Sequence, residues 1–490
     1  MKDLKIKVVR GGLAKVCAQG ANFALRIGSL MVLARLLSPK DFGLVGMVTA
    51  FMGVLNLFRD FGLSAASVQR VEVTDEQVST LFWVNMAMGG SLVLLLVISS
   101  PFIAMFYREP RLLWVTIALS SGFLFNAAGV QHSAMLQRQL RFTAIAAIDI
   151  AALIFGIAVG IGMALKGFGY WSLVCMTIAS TFLASLLFWV FSGWIPGPPR
   201  KHSGVRSMMK FGGTLTLNSL VVYVAYNLEK VLLGRFWGAE TVGIYGRAYQ
   251  LISIPTDNLN SAVGEVAFPL LARVQNDPNR LRSYFLKGYS LVLGLTVPIT
   301  IACALFGRDL IFVFLGPKWN QSAPIFRLLA PTILMFAMIN PTSWLLFSLG
   351  WLKRSLQIAF VIAPLVITAY IIGLPYGPKG VALAYSTAMA IWLVPHLLWC
   401  IKGTSISFND IMNVVKRPVI SAGVAALVAY FFQLRYEQTF SPLPRLLISC
   451  SILFGIYALM LLFVMGQKAF YIDLIRTLGN RTAVEEKLPA

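Results

Sequence analysis

Five polar residues lie along one stripe of the first apolar stretch of the chain: Lys15, Gln19, Asn22, Arg26 and Ser29. Their spacing places them on one narrow face of a helix whose other faces are Leu, Val, Ala and Phe. Arg26 lies near the middle of the stretch, where a charge costs at least about 2.5–3.5 kcal/mol to insert into a bilayer. The stripe predicts either a wet cavity that binds an anion or an interhelical ion pair. We favour the cavity, because an ion pair needs no stripe of five polar residues.

A second polar group occurs in the other half of the chain, on two consecutive predicted helices. Its members are Asn218, Glu229 and Lys230, followed by Arg247, Gln250, Asp257, Ser261 and Glu265. Glu229 and Lys230 are adjacent and cannot share a helix face, so we expect one to form a structural pair and the other to face a cavity. Arg26, Lys230 and Arg247 are the predicted anion-binding cations, supported by Lys15, Asn22 and Asn218.

The acids inside the apolar stretches are candidates for a coupling-ion site or for ion pairs with these cations. They are Asp60, Asp149, Glu229 and Asp257. Arg59 ends the second apolar stretch, and we expect its side chain to snorkel to the membrane surface. Trp171, Trp319 and Trp351 are predicted to lie in the aromatic belt at the interface. The Gly156 and Gly160 pair predicts close helix packing only.

The composition identifies the elements that must position these residues. Of 490 residues, 58% are hydrophobic and 12% charged, with a mean hydropathy of +0.77. That is about half the charge of a soluble domain. Stretches of about 20 apolar residues, enough to cross a bilayer, recur from end to end. We predict an all-α integral membrane protein with about fourteen transmembrane helices.

The net charge of +22 is distributed by membrane side. Basic residues concentrate in alternate loops, the richest of which contains Arg200, Lys201, Arg206 and Lys210. The positive-inside rule therefore predicts cytoplasmic termini and excludes nucleic acid as a partner. The five cysteines and three histidines show no disulfide or metal-ligand spacing. No cofactor is predicted, and the first apolar stretch is expected to be retained, since it lacks the features of a signal peptide.

An internal repeat organises the chain. LARLLSPKDFGLVG at 33–46 and LGRFWGAETVGIYG at 233–246 share Leu, two Gly and Arg at a constant offset of 200 residues. GFGYWSLV at 167–174 is echoed by GPKGVALA at 377–384. The predicted organisation is an N-terminal lobe of six helices at 1–200, a related lobe at 201–403, and two further helices with a cytoplasmic tail at 404–490. Because each lobe has six helices, an even number, both lobes begin on the same side of the membrane. The two lobes therefore have the same orientation, and the repeat is parallel.

Four segments carry a resemblance to a known family. They are LARLLSPKDFGLVGM (33–47), RDFGLSAASVQR (59–70), MLQRQLRF (135–142) and GPKWNQSAPIFRLLA (316–330). The chain resembles the Wzx-type polysaccharide flippases of the multidrug/oligosaccharidyl-lipid/polysaccharide superfamily. The resemblance implies two six-helix lobes around a central cavity, and a transporter rather than an enzyme. It also implies a substrate, an undecaprenyl-diphosphate-linked oligosaccharide moved across the bacterial inner membrane, and partners among membrane lipids and the polymerase or export machinery.

Three other functions are weighed against the flippase. A multidrug cation antiporter of the same superfamily should have an acidic cavity, whereas bases outnumber acids here. A membrane-embedded polysaccharide polymerase needs a catalytic cluster on a large outer loop, and every predicted outer loop is short. A structural scaffold leaves the intramembrane charges without a purpose.

Overall fold

The computed structural model describes residues 2–59, 74–199, 205–436, 439–469 and 471–473. Within these ranges, the side chains of residues 2–18 and 205–219 are not described. Asp60 therefore lies outside the described residues. Lys15 and Asn218 have described positions on helices, but their side chains do not.

Six helices form from the first two hundred residues. They are α1 (Lys2–Leu36), α2 (Pro39–Asn56), α3 (Asp75–Tyr107), α4 (Arg111–Arg138), α5 (Phe142–Leu165) and α6 (Trp171–Ser192). Capping boxes start two of them. The Ser38 hydroxyl accepts from the backbone N–H of Asp41 while the Asp41 carboxylate accepts from that of Ser38. Thr74 and Gln77 do the same for α3, so both helices satisfy N–H groups that would lack partners at their first turn.

The helices of the second half are longer and more often broken. They are α7 (Val205–Arg273), α8 (Pro278–Leu305), α9 (Gly307–Leu315), α10 (Ser322–Leu329), α11 (Pro331–Ser348), α12 (Leu352–Gly373), α13 (Gly377–Ile401), α14 (Phe408–Tyr436) and α15 (Pro442–Leu459). Gly238 has φ +81° and divides α7 into arms 205–237 and 239–273. A π-helical turn, Met460–Val464, follows α15.

Each predicted span coincides with a helix in the described part of the chain. The spans predicted from the sequence lie near 12–36, 42–63, 77–100, 111–132, 142–165, 169–191, 208–234, 239–263, 283–306, 323–348, 355–374, 380–401, 414–433 and 443–465. The two arms of α7 account for two spans, and α10 with α11 accounts for one. The predicted all-α membrane fold with about fourteen spanning helices is thus confirmed. The nine-residue α9 was not predicted, since it is too short to cross a bilayer and has no span signal of its own.

Hydropathy separates two kinds of helix. Nine stretches of the described residues are long and apolar enough to span a membrane. Within the same described residues, α1, α2 and α7 do not meet that criterion. These are the helices on which sequence patterning placed the polar residues. Their lower hydropathy means that they gain less from lipid contact than the other helices do.

The first compact unit contains residues 1–247, 314–321 and 359–381. Here α3 packs on α4, α5 on α6, α4 on α6, and α1 on α5. A Cβ on Gly156 would meet Ser180 and Met176 of α6, and a Cβ on Gly160 would meet Met176. The close packing predicted for this glycine pair is therefore confirmed.

The second unit contains residues 248–313, 322–358 and 382–490. Here α8 packs on α11 and α14, and α14 packs on α15. The short α9 is joined to α15 by a buried bidentate ion pair in which Arg445 Nε lies 2.9 Å from Asp309 Oδ2. The lobe boundaries at residues 200 and 403 stay a prediction.

The first echo of the internal repeat is a direct contact within the first unit. A Cβ on Gly43 would overlap the carbonyl oxygen of Ala239, and a Cβ on Gly243 would overlap that of Pro39. Each built Cβ also lies close to the backbone nitrogen of the other glycine, at 3.0 and 3.1 Å. Because both pairs keep the offset of 200 residues, the two copies of the motif pack on each other reciprocally.

With cytoplasmic termini and fourteen spans, the segments around residues 35, 237, 318 and 374 are predicted to be outer, and those around 83, 197, 354 and 402 cytoplasmic. Contacts between loops support this alternation. On the predicted outer side, Trp237 Nε1 donates to the carbonyl of Leu374 (2.9 Å), and Lys318 Nζ donates to that of Arg35 (3.0 Å). On the predicted cytoplasmic side, the pairs are Trp83 Nε1 with the Gly197 carbonyl (2.9 Å) and Arg354 Nη1 with the Lys402 carbonyl (2.6 Å). In all four contacts, both partners belong to loops, or to the parts of helices nearest to them, that are assigned to the same side.

Candidate functional site

The first unit contains a polar cavity of about 520 Å³. Its walls come from α1, α4, α5 and α6, together with Arg59 just after α2. The polar residues of the lining are Asn22, Arg26, Arg59, Asn126, Ser133, Gln137, Asp149, Ser180, Thr181 and Ser185. Phe125 and Phe188 add aromatic surface. We refer to this as the Arg26 cavity.

Two predicted cavity residues lie one helical turn apart on α1. Asn22 is half-buried and Arg26 is exposed, and both line the Arg26 cavity. Asp149 of α5 lines the same cavity, near enough for the charge of Arg26 to act on its carboxyl group. Among the described side chains, neither Arg26 nor Asp149 takes part in an ion pair. The guanidinium is therefore available to a ligand.

Arg59 corrects one expectation. We expected this side chain to snorkel away from the membrane interior, but it is half-buried and lines the Arg26 cavity. Its Nε is buried and has no hydrogen-bond partner among the described residues. The cavity thus presents two guanidinium groups, Arg26 and Arg59, and one carboxyl group, Asp149. This balance favours an anionic ligand over a cationic one.

Several lining residues were missed at the sequence level. Asn126, Ser133 and Gln137 project from α4, and Ser180, Thr181 and Ser185 from α6. On α4 the spacing of seven and four residues is a helical repeat of the kind that identified the stripe on α1. These residues carry no charge, so the cost argument that singled out Arg26 did not draw attention to them.

The predicted residues of the second half lie elsewhere. Lys230 Nζ donates to Asn227 Oδ1 at 2.7 Å. Glu229 is fully buried, and its carboxyl oxygens have no hydrogen-bond partner in the described part of the chain. Asp257 is exposed and belongs to the second unit. None of these residues lines the Arg26 cavity. The predicted part of Lys230 in substrate binding, and that of Glu229 and Asp257 in ion coupling or ion pairing, stay predictions.

Arg247 also lies outside the lining of the Arg26 cavity. Its guanidinium carbon lies 4.3 Å from the centre of the Phe42 ring, close enough for a cation–π contact. Trp319 packs edge-on against the same ring, with centroids 5.3 Å apart. The predicted belt position of Trp319 is wrong, because its side chain is fully buried. Its neighbours come from distant parts of the sequence, and no local pattern predicts them.

Comparison with known proteins now identifies the family. The sequence model of the family described as "Polysaccharide biosynthesis protein" matches residues 32–324. The chain belongs to this family. That membership confirms the resemblance to polysaccharide exporters stated from the sequence.

Two curated relatives are similar to more than half of this chain. Teichuronic acid biosynthesis protein TuaB of Bacillus subtilis is 31% identical over 296 residues, which are 59% of this chain and 61% of that protein. Lipopolysaccharide biosynthesis protein WzxC of Escherichia coli is 27% identical over 377 residues, 76% of each chain. The TuaB match therefore spans less than two thirds of that relative.

Solved structures show the same fold. The lipid II flippase MurJ, in an inward closed conformation, superimposes with a TM-score of 0.74 at 16% identity, covering 95% of this chain and all of that one. A multidrug resistance MATE family transporter of the MOP superfamily, in an inward-facing conformation, gives 0.63 at 15% identity over 81% of this chain and 96% of its own. At these identities, the likeness establishes the fold alone.

Proposed function

We propose that this protein is a flippase that moves an undecaprenyl-diphosphate-linked oligosaccharide from the inner to the outer leaflet by alternating access. The observation that carries the proposal is the Arg26 cavity, with two guanidinium groups and a lining of amides and hydroxyls. Family membership, and relatives named for polysaccharide biosynthesis, support this class of substrate. The chain acts as a transporter and carries out no bond chemistry.

The energetics explain why such a cavity is needed. Transfer of a bare diphosphate from water into hydrocarbon would cost on the order of tens of kcal/mol, so spontaneous flipping is negligible. One cation about 4 Å from the phosphate returns roughly 4 kcal/mol at an effective dielectric constant near 20. Arg26 and Arg59 therefore offset part of the cost, while Asn22, Asn126 and Gln137 offer hydrogen bonds to sugar hydroxyls. The lipid tail stays in the bilayer throughout.

The proposal includes a location and an orientation. The basic loops favour cytoplasmic termini in a bacterial inner membrane. The substrate then enters from the cytoplasmic leaflet, where lipid-linked repeat units would be assembled. Membrane lipids are direct partners, and a polysaccharide polymerase or export complex would receive the flipped product.

A multidrug cation antiporter remains the rival function, because MATE transporters share the fold. The Arg26 cavity argues against it, since its two guanidinium groups outnumber its one carboxyl group. A cationic drug would be repelled by that balance.

Leaflet-resolved transport tests the proposal. Purified protein in proteoliposomes is supplied with fluorescent undecaprenyl-diphosphate oligosaccharide, and flipping is measured by quenching the exposed leaflet. We expect Arg26→Ala to slow flipping about 100-fold, equivalent to about 2.7 kcal/mol. Arg26→Lys keeps the charge and should retain a substantial part of the rate.

The matched control is Arg235→Ala. Arg235 is an arginine of the first unit that packs against Phe106 and Phe236, outside the cavity, and its replacement should leave flipping near the wild-type rate. Full flipping by Arg26→Ala, or efflux of a cationic dye in place of the lipid, would show that the proposal is wrong.

A further inference from the structure

The segment 316–321 caps the C-terminal end of α1 by donating hydrogen bonds to its last carbonyl groups. The last four carbonyls of a helix have no partner within it, and in α1 these belong to residues 33–36. Leu33 accepts from the backbone N–H of Leu37 at 2.8 Å. The other three accept from side chains of the segment: Ala34 from Trp319 Nε1 at 2.8 Å, and Arg35 and Leu36 from Lys318 Nζ at 3.0 and 3.3 Å.

Backbone shape fixes the segment against α1. Gly316 has φ +93°, a conformation that disfavours residues with a side chain. A Cβ there would lie 3.2 Å from Cγ of Arg35. The 3₁₀ turn Pro317–Trp319 follows directly and delivers both donor side chains. The ammonium of Lys318 also lies at the negative end of the α1 dipole, which favours it further.

Phe42 of α2 lies at the centre of this contact. Its ring meets the edge of Trp319 and the guanidinium of Arg247. Phe42 and Trp319 are both almost completely buried. The segment therefore packs against the corner where α1 meets α2. The second arm of α7 contacts the same corner through Arg247.

The same helix carries the cavity cation. Arg26 lies eight residues before Ala34 on α1, about 12 Å along the helix axis. The segment itself is a short excursion of the chain, since the residues on both sides of 314–321 belong to the second unit.

We propose that the segment 316–321 is an outer gate, which we call the latch. The side chain of Trp319 holds it closed. With Trp319 seated against Phe42 and Ala34, the outer end of α1 is held and the Arg26 cavity is closed to the outer side. Withdrawal of Trp319 frees the end of α1 and opens the cavity outward. This inference rests on the proposed function for its direction, since the corner is outer only if the termini are cytoplasmic.

Accessibility tests the latch without requiring transport. In a cysteine-free background, a reporter cysteine is placed at Asn22 and labelled in right-side-out vesicles with a membrane-impermeant methanethiosulfonate. We expect Trp319→Ala to raise the labelling rate at least tenfold, and Trp319→Phe, which loses only the N–H donor, to give a smaller increase. An unchanged rate in both variants would overturn the latch.

Trp237→Ala is the matched control. Trp237 also lies in the first unit and also donates its indole N–H to a backbone carbonyl, that of Leu374, but it is not among the residues that cap α1. Its replacement should leave the labelling of the Asn22 reporter unchanged. An equal rise in the Trp237 variant would show general loosening and would overturn the specific role of Trp319.

A reversible cross-link tests the latch in a folded protein. Cysteines at Arg35 and Lys318 are joined by a short bis-methanethiosulfonate reagent. We expect flipping to fall at least tenfold and to return on reduction, whereas each single-cysteine variant treated in the same way continues to flip. Flipping by the cross-linked protein at the rate of the reduced protein would overturn the latch while leaving the proposed function intact. If the cysteine-free parent protein does not flip the lipid at all, the proposed function fails, and the labelling result still decides the latch.

Discussion

Arg26 and Arg59 reach one cavity from two different parts of the sequence. Patterning found Arg26 because it interrupts an apolar stretch at mid-depth and is aligned with Asn22. It did not find Arg59, since an arginine near the end of a span can equally extend to the membrane surface. Only the structure distinguishes the two positions, because the direction of a side chain at a helix end depends on non-local packing.

A substitution at Arg59 distinguishes a cavity role from a surface role. If Arg59 faces the substrate, Arg59→Gln should slow flipping by tenfold or more, at least about 1.4 kcal/mol, because one of the two cavity cations is lost. A rate near that of the wild type would contradict the cavity position of Arg59. The measurement is the proteoliposome assay, with the folding of each purified variant checked by size-exclusion chromatography.

Arg141→Gln provides the comparison for Arg59. Arg141 lies between α4 and α5, is exposed, and donates to the carbonyl of Phe191 at 2.9 Å. It is absent from the cavity lining, so this change should leave flipping near wild type. Equal effects at the two arginines would argue that general surface charge, and not the cavity, sets the rate.

At the scale of elements, the bilayer makes the existence of helices predictable from the sequence. A spanning helix must be long and largely apolar, so the existence of α3, α5 or α14 follows from hydropathy alone. The reciprocal approach of α2 and the second arm of α7 required the repeat to be noticed, and its contact geometry required the structure. The segment 316–321 could not be predicted, because its contacts join residues nearly three hundred positions apart.

Alanine substitutions at the contact between Gly43 and Gly243 should lower the stability of the protein by graded amounts. Gly43→Ala and Gly243→Ala should each destabilise the protein by about 1–3 kcal/mol or more, since the new methyl group meets a backbone carbonyl that cannot rotate away. Gly46→Ala should have a smaller effect, because its Cβ would lie 3.3 Å from a movable Val242 methyl. Apparent melting temperatures in detergent measure the series.

Gly246→Ala is the internal control for that series. It occupies the repeat position equivalent to Gly46, and a Cβ there would meet nothing within 4 Å. Its melting temperature should match wild type or rise slightly, because alanine favours the helix. A loss equal to that of Gly43→Ala would mean that the close backbone approach does not explain the series.

At the scale of the whole molecule, charge and contact agree on an alternating topology. Each loop contact described above joins segments that the positive-inside rule assigns to one side. Exchanging the two sides of the membrane would still leave both partners of every contact on the same side, so the contacts carry no information about which side is cytoplasmic. The basic loops supply that choice.

Reporter fusions test the orientation. Alkaline phosphatase fused after Asn320 should be active, because it would be exported, and the same enzyme fused after Gly197 should be inactive. A green fluorescent protein fusion after Gly197 should fluoresce. The reverse pattern, at equal expression by immunoblot, would invert the topology and move the latch to the cytoplasmic side.

The reciprocal packing of Gly43 and Gly243 has the form of an isologous interface. Pro39 meets Gly243 as Ala239 meets Gly43, which is the rule that a two-fold axis imposes on identical subunits. A protein with only one copy of the motif could therefore bury it by pairing with itself. In this chain the two copies of the motif make that contact within one polypeptide, so the self-complementary surface is buried without a second subunit.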